Sequence, residues 1–256
     1  MRIAVLMKDV PDLVEDLELD GDELAVDDLS FVPSEWDEQA LEEALLYKEE
    51  FGGEVTVVAV DTGDVDNMLY TALAKGADHG VKLTGSFDRR LTNGARAEAF
   101  ALYLRQNPHD LVLTGVQAVD DIDGQIAGRV GALLGWPHAA VVRDVRWDEA
   151  HGQIRFIQEY AGGRMAAMAA RTPVVLGIQA ARQSPRYVTI ARTRQIMKTA
   201  QLASVPVAVD PGAALSLPMR LYRPQAAGHA EMWEGSPEDV AEKVAALLWE
   251  RKLVGG

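Results

Sequence analysis

The chain of 256 residues contains no cysteine, which excludes disulfide bonds, thiolate metal sites and cysteine nucleophiles. Its five histidines lie far apart and outside any metal-ligand spacing; they are His79, His109, His138, His151 and His229. The sequence also lacks a Ser-His-Asp nucleophile elbow, a GxGxxG fingerprint and a Walker A motif. These absences argue against a hydrolase and favour a binding or carrier protein that is not an enzyme and has no catalytic residues of its own.

Long hydrophobic runs are absent as well. No uninterrupted apolar segment reaches the roughly 18 residues that a membrane helix needs. The first residues, MRIAVLM, place one basic residue before an apolar run that is too short for a secretory signal. A chain without cysteine also suits a reducing compartment. We therefore expect a cytoplasmic protein without membrane insertion.

Charge is distributed unevenly along the chain. The net charge of −14 argues against nucleic acid as a main partner. Residues 1–50 hold 17 acidic and three basic side chains, whereas residues 160–209 hold no acid and seven bases. The basic segment also carries apolar side chains, namely Tyr187, Val188, Ile190, Ile196 and Met197. Two interpretations are open from these residues alone: a solvated surface, or a docking loop for an acidic partner.

Apolar runs alternate with amphipathic segments over the first half of the chain, which predicts an α/β fold: a Rossmann-like parallel sheet with helices on both faces. Runs at 138–147, 153–160 and 164–170 predict antiparallel additions to that sheet. Beyond residue 205 the chain is rich in proline and alanine, and we expect an extended C-terminal arm there. The predicted division is a nucleotide-binding domain over 1–200 and an arm over 201–256.

Two helix starts have readable signals. Ser34 opens an amphipathic segment, and Ser34 with Asp37 fits a capping box loosely. A second amphipathic segment, 126–134, follows a short buried strand and the turn Thr114-Gly115, and Gly135 ends it.

A strand, a glycine turn and a helix N-terminus can form a backbone cradle for an anion, because unpaired N–H groups point outward there. The alternative is an ordinary strand-loop-helix unit whose aspartates cap the helix. If the cradle forms, the N–H groups of residues 124–127 should hold a phosphate, helped by the amide of Gln125. Asp121 should accept from a ribose or an adenine amino group, and Asp123 is the expected N-cap.

Several segments, in the right order, resemble the β subunit of electron transfer flavoprotein. The matching stretches are IAVLMKDVPD, SEWDEQALEEALLYKE, GGEVTVVAV, TALAKGADHGVKL, DLVLTGVQAVDDIDGQIAG and SPRYVTIARTRQIMKTA. They span roughly residues 1–200, and their combination is far more specific than any one of them.

The resemblance implies a heterodimer with an α subunit that carries the redox-active FAD, while this subunit holds AMP. Electrons would arrive from acyl-CoA dehydrogenase-type flavin dehydrogenases and leave to a quinone oxidoreductase, and the arm would pack on the α subunit. Motif matching places AMP binding at Leu6, Ser34, Val60, Thr62, Gly115, Ala118, Asp121, Gly124, Gln125 and Ile126. It makes residues 184–198 the recognition loop for the dehydrogenase, through Pro185, Arg186, Tyr187, Ile190, Met197 and Lys198.

Some positions depart from the family pattern. Ser34 stands where asparagine is usual, the small or hydroxyl residue followed by glycine is missing at 126–128, and the recognition loop lacks its proline and its lysine run. Two alternatives stay open: a bifurcating relative that carries a second FAD in this subunit, and a stress-protein-like ATP-binding protein of the same α/β fold.

Overall fold

The computed structural model describes residues 1–14, 17–25, 29–63, 65–121, 124–209, 221–223, 228 and 230–254. The chain divides into two compact units, Met1–Arg220 and Leu221–Gly256. Within the described ranges, every helix is too short or too polar to cross a membrane.

The helices of the described part of the chain are α1 (Glu35–Phe51), α2 (Asp66–Lys75), α3 (Asn93–Gln106), α4 (Ile126–Leu134), α5 (Ile190–Thr199) and α6 (Pro237–Glu250). Its strands are β1 (Arg2–Met7), β2 (Asp9–Pro11), β3 (Leu19–Asp20), β4 (Glu23–Leu24), β5 (Phe31–Pro33), β6 (Glu54–Val60), β7 (His79–Thr84), β8 (Leu111–Gly115), β9 (His138–Asp148), β10 (Gln153–Tyr160), β11 (Arg164–Ala170), β12 (Val174–Ile178) and β13 (Ala203–Pro206).

Nine strands form one mostly parallel sheet in the order β11-β10-β9-β12-β8-β1-β6-β7-β13. β10 pairs antiparallel with both of its neighbours, β9 and β11. Every other pair of neighbouring strands in this sheet is parallel. The predicted parallel sheet and its antiparallel additions are therefore confirmed. The chain runs outward from β1 through β6 to β7, then returns to β8 on the other side of β1. The order of the strands therefore reverses between β1 and β8.

Successive residues of β1 point to opposite faces of the sheet, because side chains alternate along a strand. Ile3, Val5 and Met7 pack with the apolar faces of α1 and α2. Ala4 and Leu6 pack on the other face with α3 and α4. Both faces of the central strands are thus covered, which explains why these strands read as continuous apolar runs.

The second unit is described for part of its length. Its helix α6 begins with a capping box in which the Ser236 hydroxyl accepts from the N–H of Asp239, and the Asp239 carboxylate accepts from the N–H of Ser236. Pro237 occupies the first helical turn, where a missing N–H costs nothing. The helix ends at Glu250.

Candidate functional site

A cleft lies at the carboxyl edge of the sheet, where β1 and β8 end side by side. Open parallel sheets place their ligand sites at such a reversal of strand order. The cleft holds about 300 Å³ of empty space, its open mouth included. Its lining residues are Leu6, Met7, Lys8, Asp37, Arg96, Phe100, Gly115, Val116, Gln117, Ala118, Asp121, Gly124 and Ile126.

Asp37, in the first turn of α1, joins the two strand ends. Its buried carboxylate accepts a hydrogen bond from the backbone N–H of Lys8 at 2.9 Å and another from that of Gly115 at 2.8 Å. Burial raises the pKa of Asp37 to about 7, although both hydrogen bonds oppose the shift. A side chain at Gly115 would put a Cβ 2.6 Å from Asp37 Oδ1. Glycine is therefore required for this close approach.

The predicted capping box at α1 is wrong, because Asp37 bonds to the strands and not back to Ser34. Ser34 does occupy the N-cap position, but its side chain makes no cap hydrogen bond. Its buried hydroxyl oxygen has no hydrogen-bond partner among the residues that the structure describes.

Lys8 crosses the cleft and pairs with two carboxylates on the loop after β8. Its ammonium group lies 2.5 Å from Asp120 Oδ1 and 3.1 Å from Asp121 Oδ1. Asn93, at the start of α3, donates to the same oxygen of Asp121 at 2.7 Å. Asp121 is therefore held in place from two sides, and its Oδ1 is already engaged.

The N-terminus of α4 forms another wall of the cleft. Gly124 has a φ of +57°, and a Cβ there would lie 2.5 Å from the carbonyl oxygen of Val116. The residue before the helix is Gln125, which makes no side-chain cap and instead accepts from Arg129 through its amide oxygen. No acidic side chain lies in the first turn. The expected N-cap, Asp123, lies outside the described residues.

Arg96 reaches the cleft from α3, on the opposite face of the sheet from α1. Its side chain is only 4% exposed, and its Nε and Nη1 atoms have no hydrogen-bond partner within the described ranges. Burial lowers the pKa of Arg96, while Asp120, Asp9 and Asp37 act in the opposite direction. The group stays a guanidinium cation under ordinary conditions.

Of the ten nucleotide-binding residues that the sequence predicts, six line this cleft: Leu6, Gly115, Ala118, Asp121, Gly124 and Ile126. The other four lie elsewhere. Val60 and Thr62 are buried at the end of β6, Ser34 is buried before α1, and Gln125 is turned toward Arg129.

Sequence reasoning missed several cleft residues, above all Lys8, Asp37 as a ligand of the backbone, and Arg96. The first two lie inside the matching stretches IAVLMKDVPD and SEWDEQALEE. Arg96 has a different signal: it shares one helix face with Ala99, Phe100 and Tyr103, at i+3, i+4 and i+7, and all three are buried. A charge on an apolar helix face is an informative exception, because arginine is rarely buried unless it is paired.

The predicted recognition loop, residues 184–198, is only partly a loop. From Ile190 onward it is helix α5. Thr189 caps this helix, since its hydroxyl accepts from the N–H of Arg192. The loop prediction is therefore wrong for residues 190–198. Ile190, Thr193 and Met197 repeat at helical spacing, a pattern that the sequence reading overlooked.

Two of the seven basic residues in the basic segment, residues 160–209, are tied to α1. Arg186 bonds Glu42 through its backbone N–H and its guanidinium, and it reaches Glu49 at 2.6 Å. Arg182 bonds the buried Glu43 in the same way and also pairs with Glu50. These arginines therefore anchor the segment and are not free to attract an acidic partner.

The outer surface of the segment is apolar and basic. Tyr187 is 83% exposed, Ile190 69% and Met197 44%. The basic side chains that share this exposed surface are Arg192, Arg194 and Lys198. We name these six residues the docking surface.

Within the described ranges, no group of three or more histidine, aspartate or glutamate side chains has the geometry to hold a metal ion.

Comparison with known proteins gives a consistent result along the whole chain. A family model described as "Electron transfer flavoprotein domain" matches residues 24–210. "Electron transfer flavoprotein subunit beta" of Methylophilus methylotrophus is 31% identical, over 98% of this chain and 99% of that protein. The subunit of the same name from Syntrophomonas wolfei subsp. wolfei is 28% identical over 97% and 96%, and that from Bacillus subtilis is 23% identical over 97% of each chain.

Proposed function

The chain belongs to the electron transfer flavoprotein family, and we propose that it is the β subunit of a heterodimer whose α-type partner carries the redox-active FAD. The observation that carries this proposal is the match to β subunits over nearly the full length of both chains. The FAD would supply the redox chemistry. The residues of this chain would position the components and exclude water.

The cleft between β1 and β8 is the proposed AMP site. Its two glycines, Gly115 and Gly124, leave room where a Cβ would collide with the protein, so a ligand can approach the backbone closely. The start of α4, where the Gln125 side chain makes no cap, offers N–H groups to a phosphate. Asp121 would bind the ribose or the adenine amino group through Oδ2, since Oδ1 already accepts from Lys8 and Asn93.

The docking surface is the proposed binding site for an electron-donating flavin dehydrogenase of the acyl-CoA dehydrogenase type. Exposed apolar side chains among basic ones favour a partner with an apolar pocket rimmed by acids. Arg182 and Arg186 support this proposal indirectly, because they clamp the segment to α1 and reduce the entropy that docking would cost. Electrons would then pass from the heterodimer to a quinone oxidoreductase. The proposed compartment is the cytoplasm.

The arm after residue 200 is the proposed interface with the α-type subunit. In its helix α6, Trp249 is 64% exposed and Val244 41% exposed. Such apolar side chains on an amphipathic helix are typical of a surface that another chain covers.

The test is to co-express this chain with an α-type subunit, purify the complex, and measure FAD and AMP per heterodimer. One FAD and one AMP support the proposal. Two FAD and no AMP would replace it with the bifurcating type, and failure to form any complex would contradict it. The α-type subunit purified alone is the control, because any AMP that it retains cannot be assigned to this chain.

A further inference from the structure

Arg96 is a buried cation whose hydrogen bonds are incomplete. Its side chain is 4% exposed, lines the cleft, and leaves Nε and Nη1 without partners among the described residues. Buried polar groups in native proteins are almost always paired, and arginine is rarely buried unless it is paired. The unpaired atoms therefore point to a partner that the described residues do not provide.

The carboxylates around Arg96 already have other partners. Asp120 and Asp121 pair with Lys8, and Asp37 accepts from two backbone N–H groups. Asp9 pairs with Arg89 through Oδ2, and its other oxygen has no hydrogen-bond partner in the described part of the chain, so it does not bond to Arg96. Of the four charged residues that line the cleft, Arg96 is therefore the cation left to meet a ligand.

The start of α4 faces the same cleft through Gly124 and Ile126. This helix has nine residues, the preceding Gln125 makes no side-chain cap, and its first turn holds no acidic residue, so its N–H groups and its dipole favour an anion. A guanidinium and a helix N-terminus that line one narrow cleft select a group with several acceptor oxygens, which is the chemistry of a phosphate.

We infer that Arg96 binds the phosphate of the cleft's nucleotide, together with the start of α4, and makes the cleft selective for nucleotides over nucleosides. This inference rests on the proposed function for the nucleotide and adds the residue that sets the ligand's charge. Arg96 then acts as a specificity residue in a region of α3 whose helical pattern otherwise predicts only core packing.

The test uses the full chain freed of nucleotide by dialysis, with calorimetric titrations of AMP, adenosine, FAD and riboflavin. Wild type should bind AMP more tightly than adenosine. Arg96→Met should remove that difference, with AMP affinity falling about 10- to 100-fold, the range for a hydrogen bond to a charged group, and adenosine affinity unchanged. Arg96→Lys should keep part of the difference. Arg155→Met, at an exposed arginine of β10, is the control and should bind as wild type does.

Three results would overturn the inference. Arg96→Met could keep the wild-type ratio of AMP to adenosine affinity, it could lose both ligands equally, or neither Arg96 variant could fold, which would make the guanidinium structural. A wild-type chain that binds none of the four ligands would instead contradict the proposed nucleotide site itself. Loss of FAD binding relative to riboflavin in Arg96→Met supports the inference and identifies the nucleotide as FAD in place of AMP.

Discussion

The cleft and the docking surface use charged side chains in opposite ways. In the cleft, Lys8, Asp37 and Asp121 are buried and bonded to one another or to the backbone. On the docking surface, Arg192 and Arg194 are exposed around apolar side chains. Charges out of water interact strongly and shift pKa values, whereas exposed charges are screened and worth little to stability. Changes in the cleft should therefore alter stability and ligand binding, and changes on the docking surface should alter recognition alone.

Replacing Asp37 should produce the largest change in stability, and the size of this change depends on pH. Its folded-state pKa of about 7 lies above the ordinary value of 3.8, so the folded chain binds the extra proton between these limits. Stability contributed by this group is complete below about pH 4 and is lost as pH rises through about 7. The Asp37→Asn side chain does not titrate between pH 4 and pH 7. Relative to this variant, the free energy of unfolding of wild type should fall by up to about 4 kcal/mol over that pH range.

Urea unfolding of both proteins between pH 4 and pH 8 measures this difference. Glu35→Gln, at an exposed residue of the same helix turn, is the control and should run parallel to wild type. Parallel curves for wild type and Asp37→Asn would mean that the cleft carboxylate behaves like an exposed one, and the contrast between the two regions would fail.

Arg186 tests the boundary between the two regions, since it belongs to the basic segment that carries the docking surface but is bonded inward to α1. Arg186→Met leaves the buried Glu42 without its main partner, and the free energy of unfolding should fall by about 3 kcal/mol. Arg192→Met, an exposed arginine of the same segment, should change it by less than about 0.5 kcal/mol. Urea unfolding at pH 7 compares the three proteins. Equal effects for the two variants would show that Arg186 is not an anchor.

Ile190 should affect recognition without affecting the fold. Because the side chain is 69% exposed, Ile190→Ala should leave stability and nucleotide content unchanged. The smaller side chain buries less apolar surface on docking, so the KM of the heterodimer for a donor acyl-CoA dehydrogenase should rise about 10-fold. Leu133→Ala, at an exposed leucine of α4, is the matched control. Loss of the heterodimer or of the nucleotide in Ile190→Ala would mean that this surface has a structural role.

The exposed cations should give the smallest effect. Arg194→Gln should slow association with the dehydrogenase about two- to five-fold at low salt, because charge steers encounter more than it sets affinity. The difference should vanish at about 0.5 M salt, where screening is strong. Stopped-flow association rates measure both conditions, with Arg155→Gln on β10 as the control. A difference that persists at high salt would indicate a direct bond and not steering.

Most of the fold could be predicted from the sequence because its signals are local. Short continuous apolar runs place β1, β6 and β8, and period-3.6 patterns place α1 and α4. Gly135 ends α4 in the left-handed conformation expected of it. The prediction of a capping box at Ser34 was wrong because the signal that decides it is not local. The partner of Asp37 is a pair of strand ends far along the chain, and no pattern within α1 indicates them.

The same distinction between local and distant signals applies to the basic segment, residues 160–209. Its composition indicates a basic, partly apolar surface, and this much is local. Which of its arginines face outward depends on the acids of α1, more than 130 residues away, that bond Arg182 and Arg186. The helical spacing of Ile190, Thr193 and Met197 was available in the sequence and was missed because the basic residues dominate the segment.

By itself the sequence determined the order of strands and helices, the family resemblance and the uneven charge, since each depends on neighbouring residues. Only the tertiary structure decided which charges are buried together. The environment of Asp37, and the two Arg96 nitrogen atoms that have no partner among the described residues, arise where two strand ends and three helices meet. The hydrogen-bond partners and the local dielectric of a buried charge depend on which elements pack around it, and that packing is a property of the tertiary structure.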